Sequence, residues 1–546
     1  MRGPQTISDN LRFLLVEVAA QVSDLRTALD TGSVTLACRV LDRSGYADNL
    51  KMRIRDGCVE AIRRGKKRAT AALFLRAMEV IAIDLDRIAL LCRDCARQYE
   101  ALDKRIRSKR GEHASLLRRV EQGIGLVERA MECSDTEVAL KITRIKSKID
   151  REYKRLLQVY TFDLRKGKNP GPIITSIFMA QRIEEMGGAL QGIGDAIISA
   201  NLGQQMSADR YLSLSATMGK LNGNGETGDL TAKPLAQTRS GSAISGISDA
   251  GADDDRYIAV FKDGKRRKLK EERDKVDKWN EIYPGLAPKI LSYYKRDDSA
   301  ALLIEHLPGL TFEHILLHEN PELLDDALKH LEKTLRAVWK KTRTKKVVPA
   351  LYMRQLSKRI ETVYGVHGDF RNDAMCICGH KVPSFDALVS ACEARETEIR
   401  TPFSVHIHGD FNTDNILYDA EEGGIRFIDL HRSEYMDYIQ DVSVFMVSNY
   451  RLQALDAPHR RRVAFVILAF YDFARRFAAK IGDDTFQIRL ALGLARSLAT
   501  STRFILDKTL AKKMFIRSRF LMERVLESDP KKPHAFSVPI EELFIG

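Results

Sequence analysis

Long apolar runs are scarce in this sequence of 546 residues. The longest is VAFVILAF, which begins at Val463 and is far shorter than the roughly 20 residues that cross a bilayer as a helix. The first residues, MRGPQTISDN, lack the apolar stretch and the small-residue cleavage site of a secretory signal. We therefore expect a cytoplasmic protein with no transmembrane segment.

Cysteine is also sparse, with eight unevenly spaced residues that do not resemble a disulfide framework. Cys92 and Cys95 form an isolated CxxC in a helical pattern, without the second pair of ligands that a zinc site needs. The run CICGH from Cys376, even with Cys392 added, matches no closed zinc site. We assign no metal to cysteine.

Acidic residues are too few to balance the basic ones, and the formal net charge is +14. About +11 of this charge falls in residues 1–220, including the runs RRGKKR from Arg63 and KRIRSKR from Lys104. Aromatic residues are not interleaved with these runs, as single-stranded nucleic-acid binding would favour. Solvated basic helix faces are the better interpretation, and we expect no nucleic-acid partner.

The first part of the chain is dominated by helical periodicity. From Leu11 to about Ala200, apolar residues recur at three- and four-residue spacing with few prolines, which predicts an all-α helical bundle. IAIDLDRIALLC around Asp86 has a counterpart in IFMAQRIEEMGGAL around Glu184. This weak internal duplication indicates two three-helix repeats.

Composition changes after about residue 206, where Gly, Ser, Asn and Asp become frequent. Short strand-like runs such as RYIAVFKDG and SAALLIEHL follow, and helical patterns resume from Asn320. We predict a multidomain chain whose second part is an α+β, two-lobed domain. The predicted domains are a helical bundle at 1–206, a flexible linker at 207–230, and an α+β domain at 231–546, whose lobes divide at about 310.

The segment HGDFNTDN places Asp410 and Asn415 five residues apart between strand-like runs, and Asp429 ends a later strand-like run. Phosphoryl transfer from ATP needs a carboxylate for the proton of the attacking hydroxyl, and oxygen ligands for magnesium. Asp410 fits the first role, whereas Asn415 and Asp429 fit the second. His408 is interpreted as a buried structural residue that fixes the loop.

HGDFNTDNIL followed by RFIDLHRSEYMDYIQDVSVF resembles the aminoglycoside phosphotransferase and choline kinase superfamily. The resemblance implies a protein-kinase-like fold over about 230–530 and an ATP-dependent, magnesium-dependent phosphotransferase. It also implies that an Asp at the position of Asp441 braces the catalytic loop. The phosphate-covering loop of that family would fall in RSGSAISGISDAG, around Gly241.

Further positions fit the same interpretation. Lys262 ends a strand-like run and would bind nucleotide phosphates. Glu272 is the predicted partner that holds it, and the adjacent Glu271 is the alternative. LLIEHLPG resembles the hinge of the family. The resemblance implies that three residues of this hinge bind adenine through their main chain, namely Glu305, His306 and Leu307.

The helical repeats resemble PhoU-type phosphate-transport regulators over about 8–205. That family carries an acidic pattern in each repeat that can gather metal ions. Here each copy keeps one acidic position, so the resemblance implies Asp86 and Glu185 as candidate metal ligands.

These observations predict an ATP-dependent small-molecule kinase that phosphorylates a hydroxyl group and is coupled to a PhoU-like regulatory module. The acceptor is not specified by the sequence, and basic runs such as KKTRTKK argue against a polycationic antibiotic. Phosphate-signalling proteins are candidate partners of the helical part, and the oligomeric state is left open. The alternative is a nucleotide-binding scaffold without catalysis that regulates phosphate signalling.

Overall fold

The computed structural model describes most of the chain, and the described residues are 5–43, 45–64, 69–102, 111–218, 230–237, 243–249, 257–296, 298–345, 347–349, 351–454 and 456–544. The chain divides into two compact units, 1–216 and 217–546. Among the described residues, none of the helices combines the length and the apolar character that a membrane crossing requires.

The described residues of unit 1 form helices and the short connections between them. Its helices are α1 (Gln5–Thr31), α2 (Val34–Asp42), α3 (Tyr46–Arg64), α4 (Ala69–Glu100), α5 (Gly111–Glu132), α6 (Thr136–Arg165), α7 (Pro170–Leu202) and α8 (Ala208–Met218). The predicted bundle of two three-helix repeats is confirmed: α1, α3 and α4 form the first, and α5, α6 and α7 the second. The short helix α2 is an addition to the first repeat.

Local sequence explains the long helices of the second repeat. The Asp135 carboxylate caps α6 by accepting a hydrogen bond of 3.0 Å from the Val138 amide. Helix α7 starts with Pro170 and is capped at its C-terminal end by Gly203, which has a left-handed backbone. Between these ends, buried residues recur every three or four positions, for example Ile183 and Met186, and this stripe faces the core.

Part of the predicted linker differs from expectation. Helix α8 lies inside 207–230, so the first half of this segment is helical, and residues 219–229 lie outside the described residues. The glycine-rich composition that indicates a linker is concentrated after Met218.

Unit 2 begins with a five-stranded antiparallel sheet in the order β1-β2-β3-β5-β4. The strands are β1 (Leu230–Gln237), β2 (Ala243–Asp249), β3 (Ala259–Lys265), β4 (Ile290–Arg296) and β5 (Ser299–Glu305). Helix α9 (Arg266–Ile282) joins β3 to β4 and buries Leu269 against the sheet. Gly241, where the phosphate-covering loop was predicted, lies outside the described residues.

The rest of unit 2 is mainly helical. Its helices are α10 (Phe312–His318), α11 (Pro321–Thr342), α12 (Tyr352–Val366), α13 (Phe385–Glu396), α14 (Ile439–Tyr450), α15 (Ala457–Ile481), α16 (Phe486–Ser501), α17 (Lys508–Glu527) and α18 (Ile540–Phe544). Its short strands are β6 (Leu310–Thr311), β7 (Met375–Ile377), β8 (His380–Val382), β9 (Val405–Ile407), β10 (Ile416–Asp419), β11 (Gly424–Phe427) and β12 (Glu434–Met436). One large apolar core joins these helices. The predicted small sheet lobe and larger helical lobe are confirmed.

Candidate active site

The loop after β9 carries Asp410 and lines a cavity of about 1550 Å³ in unit 2. Two side chains hold the Asp410 carboxylate: Asn412 donates a hydrogen bond of 3.0 Å to Oδ1, and Arg432 Nη1 lies 3.2 Å from the same oxygen. The second carboxylate oxygen, Oδ2, has no hydrogen bond among the described residues. A carboxylate fixed by one oxygen can accept a proton on the other.

Asp441, in the first turn of α14, fixes the backbone of this loop. Its two carboxylate oxygens accept hydrogen bonds from the amides of His408 and Gly409, at 2.7 and 2.9 Å. Burial raises the pKa of Asp441 to about 7, against the lowering effect of these two amides. Asp441 thus lies where the family resemblance puts the bracing aspartate.

His408 makes its polar contacts with the main chain. Its Nε2 lies 2.9 Å from the Ile428 carbonyl, and its Nδ1 accepts a hydrogen bond of 3.3 Å from the Asp410 amide. This pattern needs one donor and one acceptor nitrogen, which is the neutral imidazole. Burial also lowers the pKa of His408, so the ring joins the Asp410 loop to the strand before Asp429.

The main chain brings Asn415 and Asp429 into neighbouring positions. The Ile428 amide donates to the Asn415 carbonyl at 3.0 Å, and the Asn415 side chain donates through Nδ2 to the Asp410 carbonyl at 2.9 Å. The amide oxygen of Asn415 therefore takes no part in that bond. Asp429 has a left-handed backbone, with φ of 60°, and directs its carboxylate to the cavity.

The charge on Asp429 is stabilised by its neighbours. Burial alone would raise its pKa, but a hydrogen bond from His431 Nδ1 (3.0 Å) and the positive charge of Lys262 hold it well below its usual value. An ionised carboxylate and an amide oxygen are hard ligands that suit magnesium, which takes the rest of its shell from phosphates and water. Asn415 and Asp429 therefore fit a magnesium ion bound together with a nucleotide.

Lys262 on β3 pairs with Glu272 on α9, and both side chains are buried. Burial by itself would lower the pKa of Lys262. The carboxylates of Glu272 and Asp429 outweigh this effect, so the pKa is raised above its ordinary value and the ammonium group stays charged. Glu271, the other candidate partner, instead lies 3.5 Å from Arg267. The pairing thus selects one of the two partners that the sequence left open.

The three residues of the predicted hinge line the same cavity, at the end of β5 and directly after it. The Glu305 amide donates to the Lys289 carbonyl at 2.9 Å, and its side chain accepts from the Lys289 amide at 3.1 Å. The His306 ring packs near Tyr257, and burial lowers its pKa. Leu307 is buried. The cavity therefore extends from the hinge to the Asp410 loop.

Sequence reasoning missed a set of arginines that line this cavity. Arg359 lies on α12, Arg432 follows Asp429, Arg496 lies on α16, and Arg503 follows α16. Only Arg496 carried a local signal, since it interrupts the apolar run LALGLARSLAT on a buried helix. The others come from distant segments and resemble ordinary surface arginines in the sequence.

The candidate metal positions of unit 1 are occupied by ion pairs. Asp86 is buried and lies 2.7 Å from Lys51 Nζ, while Glu185 lies 3.2 Å from Arg182. Across the described ranges, no group of three or more His, Cys, Asp or Glu side chains is arranged to hold a metal ion. A metal-binding role of Asp86 and Glu185 stays a prediction.

The two cysteine patterns differ in exposure. Cys92 and Cys95 are buried in the bundle, where burial raises their pKa values, and the Cys95 thiol lies 3.8 Å from the Met179 carbonyl. Cys376 is exposed, whereas Cys392 is buried with its thiol 3.5 Å from the Met522 carbonyl. Cys376 and Cys392, which were considered together as zinc ligands, thus lie in different environments.

The fold and the site define a chain with two parts, a PhoU-like helical bundle and a protein-kinase-like phosphotransferase domain. Residues 251–476 match the phosphotransferase enzyme family (APH). The C-terminal part of the chain therefore carries a domain of this family.

The N-terminal part is similar to the phosphate-specific transport system accessory protein PhoU of Escherichia coli (strain K12). The two are 28% identical over 192 residues, which cover 34% of this chain and 78% of that protein. The crystal structure of PhoU from Pseudomonas aeruginosa is 22% identical in sequence and has a TM-score of 0.35. The match covers 36% of this chain and 96% of the PhoU chain. The solved structure of an ethanolamine kinase from Plasmodium vivax is 13% identical in sequence and has a TM-score of 0.35. The match covers 57% of this chain and 88% of the kinase chain.

Proposed function

We propose that unit 2 transfers the γ-phosphate of ATP to a hydroxyl group of a small-molecule acceptor. The observation that carries this proposal is the Asp410 carboxylate, held through one oxygen beside Asn415 and Asp429 in a single cavity. Asp410 orients the acceptor hydroxyl and accepts its proton as the oxygen attacks the γ-phosphorus. The bond between that phosphorus and the bridging oxygen breaks, and ADP leaves with the bond electrons.

The remaining residues bind and orient the nucleotide. Lys262, held by Glu272, contacts its phosphates, and main-chain groups at Glu305 to Leu307 bind adenine. Magnesium bound at Asn415 and Asp429 would neutralise phosphate charge. His408 and Asp441 keep the loop in place, because their bonds to the main chain fix the position of Asp410.

The test is ADP release by the purified full chain, supplied with magnesium, ATP and a metabolite pool that contains candidate alcohols. Loss of a general base typically lowers turnover by about 10²- to 10⁴-fold, and Asp410→Asn should do so without weakening nucleotide binding. The matched control is Asp369→Asn, an exposed aspartate outside the cavity. Full activity of the Asp410 variant on an identified acceptor would refute the proposal.

The variant Asp429→Ala distinguishes the proposed enzyme from the alternative, a nucleotide-binding scaffold without catalysis. An enzyme needs this carboxylate for magnesium-dependent ATP consumption, whereas a scaffold shows no such consumption in either form. Nucleotide binding without any acceptor-stimulated ADP release in the wild type would favour the scaffold.

We also propose that the PhoU-like unit regulates this activity in response to phosphate signalling, because the relatives of unit 1 are named as accessory proteins of a phosphate-specific transport system. The coupling predicts that disruption of unit 1 alters turnover at Asp410. Ile183 is buried in α7, so Ile183→Asp should disrupt that unit. Unchanged turnover in the full-length variant, despite a loss of helical signal, would argue against coupling.

A further inference from the structure

Five arginines of the helical lobe line the cavity. Arg451 donates to the Asn412 side chain at 3.3 Å, and the other four interact electrostatically with Asp410. We define Arg359, Arg432, Arg496 and Arg503 as the arginine cluster. They come from α12, from the turn after Asp429, and from α16 and the turn that follows it. Because four separate elements supply them, their convergence is a property of the tertiary structure.

Among the described residues, the arginine cluster has few hydrogen-bond and ion-pair partners. Arg432 pairs with Asp410, and Arg496 donates to the Gln440 side chain at 3.3 Å. The Nε groups of Arg496 and Arg503 are buried without a hydrogen-bond partner among the described residues. Arg496 itself is only 4% exposed. A buried guanidinium with an unpaired N–H is costly unless a ligand supplies an acceptor.

The electrostatics indicate an excess of positive charge. Burial and the neighbouring arginines lower the pKa values of Arg359 and Arg503, and burial lowers that of Arg496 to about 10. The Asp410 charge raises all three pKa values.

Glu313 and Asp414 also line the cavity, and both interact electrostatically with Arg451 rather than with the cluster. Glu396 accepts the amides of Tyr352 and Met353, and Asp437 lies 2.5 Å from Arg489. Glu434 also lines the cavity but is exposed. The half-buried Asp410 carboxylate therefore pairs with Arg432, and its charge acts on the other three guanidinium groups of the cluster.

We propose that the arginine cluster binds an anionic group of the acceptor, so that the substrate is an alcohol that carries a phosphate or carboxylate. This proposal rests on the proposed phosphotransfer at Asp410. The planar guanidinium donates two parallel hydrogen bonds to such groups, and a second anionic oxygen would satisfy the unpaired N–H groups. A cationic acceptor would be repelled by the same charges.

The first experiment measures anion binding with inorganic phosphate as the probe. The full chain is saturated with magnesium and a non-hydrolysable ATP analogue, which occupies the nucleotide site up to the γ-position, and phosphate is titrated calorimetrically. Loss of one charged hydrogen-bonding group should weaken binding about 10- to 100-fold in Arg359→Gln and in Arg503→Gln. The control is Arg354→Gln, an exposed arginine on the same helix as Arg359 that does not line the cavity.

The second experiment identifies the class of anion by competition with bound phosphate. Four compounds share one skeleton and differ in charge: glucose 6-phosphate, glucuronate, glucose and glucosamine. Displacement of bound phosphate by glucose 6-phosphate would indicate a phosphate-bearing acceptor, and displacement by glucuronate a carboxylate-bearing one. We expect no displacement by glucose or glucosamine.

The outcomes separate this proposal from the proposed function. Absence of phosphate binding, or binding that is equally strong in Arg359→Gln, Arg503→Gln and the wild type, overturns the anionic acceptor. An acceptor that is turned over but bears no anionic group also overturns it, while leaving phosphotransfer intact. Phosphate binding that depends on the cluster, together with no ADP release from any alcohol, supports the anion site and refutes the phosphotransfer.

Discussion

The backbone of Gly409 lies directly against Arg432. Gly409 has a φ of 82°, and a Cβ atom at this position would lie 2.4 Å from the Arg432 carbonyl oxygen. Real Cβ atoms do not approach an oxygen so closely, and the left-handed backbone also favours glycine. The loop before Asp410 and the turn after Asp429 are therefore in backbone contact, and this contact sets the distance between them.

Gly409→Ala should displace the Asp410 loop and lower activity. A misplacement of about 1 Å at a reacting group can cost roughly 100-fold in rate, and we expect a loss in kcat of that order. The measurement is acceptor-dependent ADP release. Gly365→Ala is the matched control, since a Cβ at Gly365 meets no atom within 4 Å. Normal turnover in the Gly409 variant would show that the loop tolerates the shift.

Lys262→Met should raise the KM for ATP by at least tenfold, because a charged hydrogen bond to phosphate contributes roughly 1.5–3 kcal/mol. Glu272→Gln should raise it as well, since Lys262 then loses its partner. The readout is the KM for ATP at a fixed acceptor concentration. Lys270→Met, an exposed lysine on α9, is the control and should leave the KM unchanged.

Stability can be separated from nucleotide binding at this pair. Removal of one member of a buried ion pair typically costs about 3–5 kcal/mol, whereas replacement of both by apolar residues is often neutral. The double variant Lys262→Met with Glu272→Leu should therefore regain stability but not ATP affinity. A double variant that regains both would show that the pair has only a structural role.

Glu396 should make unit 2 less stable as the pH rises. Burial raises its pKa from 4.5 to about 7, although two backbone amides lower it. An acid whose pKa is raised by folding contributes stability that is complete below pH 4.5 and is lost as the pH rises through 7. The loss is on the order of 3 kcal/mol, since one pKa unit corresponds to about 1.4 kcal/mol.

The measurement is denaturant unfolding between pH 5 and 8, followed by tryptophan fluorescence. Both tryptophans of the chain, Trp279 and Trp339, are buried in unit 2, so the signal reports that unit. Glu396→Gln should reduce the pH dependence, and the exposed Glu421→Gln should not. Some slope remains in the Glu396 variant because Asp441 titrates in the same range. An unchanged slope would contradict the prediction.

Arg489→Met should destabilise unit 2 strongly. Arg489 is 2% exposed and lies between Asp437 and Asp483, so its loss leaves two carboxylates buried without their cation. We expect a cost of about 3–5 kcal/mol, visible by the same fluorescence. Arg475→Met, on the exposed face of α15, is the control, since its ion pair with Asp472 is solvated. A small effect of Arg489→Met would mean that the carboxylates take up protons or find other donors.

The sequence by itself determined the fold class of both parts and the residues of the phosphotransfer motif. Helical periodicity and a weak duplication were sufficient for the bundle, because helix formation and burial are encoded by spacing within each segment. The order and spacing of Asp410, Asn415 and Asp429 were also local, since the loop before β10 carries the first two and Asp429 follows the hairpin of β10 and β11. Helix α8, however, was not predicted, because its residues were assigned to the linker together with the glycine-rich stretch that follows Met218.

Only the tertiary structure decided which distant side chains meet. Lys262 pairs with Glu272 and not with Glu271, because only one of two adjacent helical positions faces the sheet. The tertiary structure also gathered Arg359, Arg496 and Arg503 near Asp410 from segments separated by more than a hundred residues. The convergence of like charges depends on how the helices pack, and no spacing within a single segment records it.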